Sequence, residues 1–172
     1  MKHLLSILFF AGVCTFGAIE SQAQNCKYLL DETDPMTEER VRRMKMTLEG
    51  RDFVVNYYRK GNAFRVEMEV ALIGERNFIV EEGTILNLKL GSGDIESFAA
   101  AQRATPVSYV AGTQVATNYS ATFHCTEAQM TRLAEHGFSV ASIQLGDETL
   151  TRVVKQKKAS QTQENASCIL ND

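Results

Sequence analysis

The chain has 172 residues, 44% of them hydrophobic and 23% charged, with a formal net charge of −3 at pH 7. That apolar share supplies material for a real core, and no second hydrophobic region asks for another domain. The slight acidic balance argues against nucleic acid as a main partner, because such proteins carry a basic face.

The first two dozen residues read as an export leader. Met1-Lys2-His3 is a short, weakly basic start, followed by an uncharged run from Leu4 to Ile19. That run is shorter than the roughly 20 residues a membrane-spanning helix needs. Small residues at Ser21 and Ala23 fit the spacing for signal-peptidase cleavage before Gln24. Residues 1–23 are therefore expected to be a signal peptide. Residues 24–172 are expected to form a single β-rich globular domain, secreted or periplasmic, with no transmembrane segment after cleavage.

Period-two alternation, the mark of half-buried strands, dominates the chain beyond the leader. Arg40 to Glu49 places Met44, Met46 and Leu48 on one face and Arg43, Lys45 and Thr47 on the other. The basic residues Arg40, Arg42, Arg43 and Lys45 then read as a solvated strand face, and Lys155, Lys157 and Lys158 as a solvated helix face. Phe53 to Lys60 is apolar on both sides, as a central strand is. Gly61-Asn62 makes a two-residue turn, and Ala63 to Leu72 returns with Phe64, Val66, Met68 and Val70 pointing one way. Shorter strands are expected at Asn77–Val80, Thr84–Leu90 and Ile95–Ala100. The glycine-rich stretch Gly91-Ser92-Gly93-Asp94 reads as a hairpin loop, since a phosphate cradle wants a following helix. Residues 102–112, with Pro106, read as a longer connection. Gln114 to Cys125 is the longest strand, carrying Tyr119, Ala121, Phe123 and Cys125 on one face.

A helix is expected over 127–136. Thr126 and Gln129 form a capping-box pattern, Met130, Leu133 and Ala134 an apolar stripe, and Gly137 a helix-ending residue. Strands at Phe138–Leu145 and Leu150–Lys155 come next. Gln156–Leu170 reads as a weak amphipathic helix or an irregular tail.

The candidate chemistry is sparse. Cys125 stands just before a helix, where thiols are often activated. Its neighbour His124 points to the opposite face of a strand, and His136 lies about 15 Å along the helix. Cys125 is thus a weak thiol candidate that reads better as a small core hydrophobe. After leader removal, Cys26, Cys125 and Cys168 remain in an oxidising compartment. Cys26 and Cys168 flank the domain, and termini often lie close together, so they are the natural disulfide pair. Cys26–Cys125, Cys125–Cys168 and no bridge at all stay open as alternatives. Three cysteines and two separated histidines show no zinc spacing. The acids Asp31, Glu32 and Asp34 lack the spacing and glycine of a calcium loop and read as an exposed turn. Glu81, Glu82, Asp147 and Glu148 flank turns in the same way. No cofactor is expected. Asn118 and Asn165 head glycosylation sequons that matter only in a eukaryotic host.

The start NCKYLLDETDPMTEERV and the late segment NYSATFHCTEAQMTRLAEHGFSVASIQL resemble uncharacterised secreted or periplasmic proteins of Bacteroidota-type bacteria. The resemblance covers about a third of the chain, departs at Pro35-Met36-Thr37, and transfers no catalytic residue. It implies an exported location and no known activity.

The resulting expectation is an α+β, β-rich fold: an antiparallel meander forming a sandwich or curled sheet, with one short helix between late strands and a C-terminal helix in question. The leading function is a non-enzymatic binding or structural module of the bacterial cell envelope, whose partner is a protein or envelope component. Second is a carrier of a small apolar ligand, with Met44, Met46 and Met68 as an adaptable lining. Third is a hydrolase using unidentified carboxylates or Cys125. A filled core with an exposed apolar patch favours the first of these, and a deep apolar cavity the second.

Overall fold

The alternation around Gly61 builds the centre of the molecule. In the computed structural model, which describes residues 26–48 and 52–171, strand β3 (Phe53–Lys60) turns at Gly61-Asn62 into β4 (Ala63–Ile73). Gly61 adopts a φ of 54°, the left-handed backbone that this tight turn requires. The register pairs Lys60 with Ala63 and runs back to Phe53 opposite Val70, so Phe64, Val66, Met68 and Val70 all turn inward. The expected signal peptide, residues 1–23, and its cleavage point before Gln24 lie outside the described residues.

Around this hairpin stands a six-stranded sheet in the order β1-β2-β3-β4-β8-β7. Its other members are β1 (Leu30–Thr33), β2 (Arg40–Thr47), β7 (Val107–Ala111) and β8 (Gln114–Cys125). A second sheet has the order β10-β9-β5-β6, from β5 (Ile85–Leu90), β6 (Ile95–Ala99), β9 (Phe138–Leu145) and β10 (Glu148–Val153). The named strand pairs are antiparallel. The fold is thus a curled antiparallel sheet backed by a smaller one, the β-rich α+β arrangement the alternation calls for.

One hydrophobic core lies between the sheets. Met44, Met46, Val55, Tyr57, Met68, Tyr119 and Phe123 come from the larger sheet, and Leu86, Leu88, Phe98, Ala141 and Ile143 from the smaller. The sheets also touch through backbone, at a bridge between Ala100, just past β6, and Phe123 of β8.

Helix α1 (Glu127–His136) has the bounds its caps specify. Gln129 N–H donates to the Thr126 hydroxyl at 3.2 Å, and the Gln129 side-chain oxygen accepts from Thr126 N–H at 3.0 Å. At the other end Gly137, at φ 59°, donates its N–H to Leu133 O at 2.8 Å. Any side chain there would also meet α2 (Gln156–Leu170): an added Cβ comes within 2.7 Å of Ala159 O and Thr162 Oγ1. Met130 and Leu133 of α1 are buried, as are Thr162, Ala166 and Ile169 of α2, at the i, i+4, i+7 spacing of a helix face. The C-terminal segment is therefore a packed helix, with no irregular tail before Asn171.

Four local expectations change. Residues 102–112 are not a plain connection, because Val107–Ala111 forms edge strand β7. All five of its residues are exposed, so it has no buried face to generate an alternating pattern. A short strand β1 sits where an acidic turn was expected, pairing Asp31 with Arg42 and Thr33 with Arg40. Asn77–Val80 makes only one isolated bridge, Val80 to Ala104. Arg42 leaves the solvated face assigned to it: it shares the inward face of Met44 and is 3% exposed.

Candidate functional site

The thiols carry the sharpest chemistry of the chain. Cys26 and Cys168 form a disulfide across 142 residues, with Cα atoms 5.7 Å apart. It fastens the C-terminal turn of α2 to the start of the domain. Three side chains reinforce that point by taking up the carbonyls a helix end leaves unpaired. The Tyr28 hydroxyl donates to Cys168 O at 2.8 Å, Arg59 to Leu170 O at 2.8 Å, and Arg42 to Asn171 O at 2.9 Å. Two guanidinium charges at the negative end of a helix dipole are favourable, which explains why Arg42 tolerates burial. Its planar group also stacks over the Tyr28 ring, 5.8 Å from the centroid.

Cys125 sits in the core cluster, and its Sγ lies 3.4 Å from Thr126 O. Burial pushes its thiol up to about 12, and the nearby Glu96 charge adds to the shift. This is the reverse of helix-terminus activation. Because the folded state holds the proton more tightly than the unfolded chain, stability is fully present below the ordinary thiol value. It falls as pH rises from there toward 12. Alkylation of Cys125 below pH 8 is therefore expected to proceed only as fast as the protein unfolds. Rapid labelling of the folded protein near pH 7 would restore Cys125 as a nucleophile.

The structure does not bring the other sequence candidates together. His124 faces outward on β8 opposite Arg65, while Cys125 faces inward opposite Phe64. His136 ends α1, 3.7 Å from Glu135. Asp31 accepts from Arg40 at 2.8 and 2.9 Å. Asp34 pairs with Lys60 at 2.5 Å and accepts Met36 N–H at 2.8 Å, bonds that hold its carboxyl down at about 2. Glu81 and Glu148 lie in separate ion pairs, with Arg103 and Arg76. Among the described residues no three His, Cys, Asp or Glu are grouped to hold a metal ion. The Gly91–Asp94 stretch closes the β5–β6 hairpin, with Leu90 N–H on Asp94 O at 2.8 Å. Asn165 is buried in α2, and Asn118 is half-buried on β8. Met44, Met46 and Met68 are core side chains, 4%, 1% and 0% exposed.

The feature sequence reasoning missed is the surface around β7. Cross-strand register places Tyr109 opposite Ala116 and Ala116 opposite Ile73, in one row across β7, β8 and β4. Val107, Asn118 and Ala71 make the next row. Beside these rows is an open groove of about 550 Å³, lined by Asp52, Val54, Glu69, Ala71, Val107, Tyr109 and Asn118. On the other face of the same edge Val110 pairs with Val115. Ile73, Val107, Tyr109, Val110 and Val115 are exposed, Val110 at 74%. The signal was present in Val107-Ser108-Tyr109-Val110-Ala111, a run of β-formers ending at a glycine turn.

Fold and surface together define a β-rich two-sheet domain, clasped at its ends by a disulfide, with an apolar sheet edge in solvent. Comparison with protein-family models, with curated proteins and with solved structures returned no match. Among the described residues no helix is long and apolar enough to cross a membrane. A disulfide of this kind is compatible with a compartment outside the reducing cytoplasm.

Proposed function

We propose that this chain is an exported, non-enzymatic binding module of the bacterial cell envelope, delivered by a signal peptide over residues 1–23. In this reading it acts through the apolar surface around β7. The observation that carries the proposal is the contrast between core and edge. Phe53, Phe98, Phe123, Phe138, Met46 and Met68 fill the space between the sheets at under 2% exposure, while Val107, Tyr109 and Val110 stand in solvent. Exposed apolar residues gathered along one sheet edge, here on both of its faces, mark contact sites. Lining a ligand cavity with Met44, Met46 and Met68, as the carrier reading requires, would mean moving side chains already packed against the core. The disulfide supports the exported location, because such bridges persist in oxidising compartments.

A photo-crosslinking residue at Val110, in the envelope of the producing bacterium, is expected to give one discrete adduct. The same residue at Glu135, exposed on α1, is expected to give none. Absence of an adduct at 110, or identical adducts at both positions, would sink the proposal.

A further inference from the structure

Strand β7 and the start of β8 reach past the core. Every residue from Val107 to Val115 is exposed, through the turn at Gly112-Thr113. The apolar side chains of this tip lie on both faces of the sheet. Tyr109 shares one face with Ile73, with Ala116 between them, and Val110 pairs with Val115 on the other. Ile73 comes to the same end of the sheet, where Gly74 N–H donates to Val115 O at 2.8 Å. Ile73 and Val110, on opposite faces, are 72% and 74% exposed. In a chain with 23% charged residues, no Asp, Glu, Lys or Arg stands between Arg103 and Glu127.

We infer that this tip dips into a phospholipid surface, holding the domain on a membrane of the envelope without spanning it. This rests on the reading of the β7 surface as the contact site and names what it contacts. The occupant follows from the two-faced distribution. A strand added to β7 would bond its free backbone and cover the edge. It would leave Ile73, two strands in, exposed on one face and Val115 on the other. A helix or sheet laid on one face would leave the opposite face bare. A fluid apolar phase covers both faces and the turn together. The absence of charge fits the same occupant, because a charge in the acyl region is costly, whereas protein interfaces carry a polar rim. Tyr109 has the apolar body and polar end favoured at the lipid–water boundary. The backbone limits the depth. The outer edge of β7 keeps unpaired N–H and C=O groups, and open sheet edges do not enter the hydrocarbon. The tip therefore rests at the boundary of headgroups and acyl chains, with Glu75, exposed two residues past Ile73, on the aqueous side.

The chain contains no tryptophan, so one introduced on each face reports its own surroundings. Val110→Trp and Tyr109→Trp, with the disulfide intact, are mixed with vesicles of phosphatidylcholine alone and of phosphatidylcholine with phosphatidylglycerol. Emission of both proteins is expected to shift to the blue and to be quenched by phosphatidylcholine brominated in its acyl chains. Glu135→Trp, on α1, is expected to show neither effect. Wild type is expected to float with both kinds of vesicle equally and to stay bound at about 1 M salt, since no charge carries the contact. Val110→Asp is expected to weaken partitioning about tenfold while its urea midpoint stays that of wild type. A wild type that does not float, binding that needs phosphatidylglycerol or is lost in salt, or a blue shift on one face alone would each overturn the lipid contact. So would a Val110→Asp protein that floats like wild type. If the lipid contact falls while crosslinking at Val110 yields an adduct with another protein, the contact-site reading stands. If there is no adduct either, both fall.

Discussion

Replacing both bridge cysteines, Cys26→Ser with Cys168→Ser, is expected to lower unfolding free energy by about 3–5 kcal/mol. The bridge closes a loop of 142 residues, nearly the whole domain. Loop closure of that length withdraws about 5 kcal/mol of chain entropy from the unfolded state, and measured values more often fall at 2–4 kcal/mol. The upper part of the range is expected because the bridge also anchors α2. Without it, the helix rests on Ala166, Ile169 and Thr162 and on the clamp of Tyr28, Arg42 and Arg59 at its last carbonyls. Urea titration of the two proteins, read by circular dichroism, measures the loss as a lower midpoint. A change below about 1 kcal/mol would mean that packing and the arginine clamp hold α2 by themselves. Burial keeps Cys125 protonated in the folded protein, and running the titration at mildly acidic pH keeps the thiol protonated in the unfolded chain too, since exchange needs a thiolate.

The parts of this molecule that could be read from sequence are those where burial alternates or a cap is spelled out in side chains. Phe64, Val66, Met68 and Val70 announce β4 because a core lies on one side and solvent on the other. Thr126, Gln129 and Gly137 announce α1 because their hydrogen bonds are local. The Cys26–Cys168 pairing followed from the position of the two residues near the ends of the domain. What escaped depended on distant partners. Arg42 reads as one more cation on a basic strand, and only the fold brings Asn171 O to it from 129 residues away. Strand β7 lies beyond the rim of the core, exposed on both faces, so neither periodicity nor burial marks it. The candidate contact surface was therefore hidden by the property that makes it a candidate. A strand with no buried face lacks the alternation that marks the others, and only its run of β-formers, Val107 to Ala111 before Gly112, announces it.

Phe123→Ala is expected to cost about 3–5 kcal/mol, through a different route from the bridge. The side chain is fully buried, opposite Val66 on β4, and its backbone makes the bridge to Ala100 that ties the larger sheet to the smaller one. Truncation removes the transfer energy of the ring and leaves a cavity that two hydrogen-bonded sheets are poorly able to close. Phe123→Leu keeps most of the volume and should cost less than about 1.5 kcal/mol, while Val110→Ala on the exposed edge should stay within about 0.5 kcal/mol. The ordering of these three by urea midpoint is the check, and a Phe123→Ala cost near that of Val110→Ala would deny that the sheets pack through this ring. The bridge acts on the unfolded chain and Phe123 on the folded core, so the two losses should add. Their sum, about 6–10 kcal/mol, spans most of the roughly 5–15 kcal/mol that holds a domain folded. A protein lacking both should therefore be largely unfolded at room temperature, even though every backbone hydrogen bond of its sheets is still available to form.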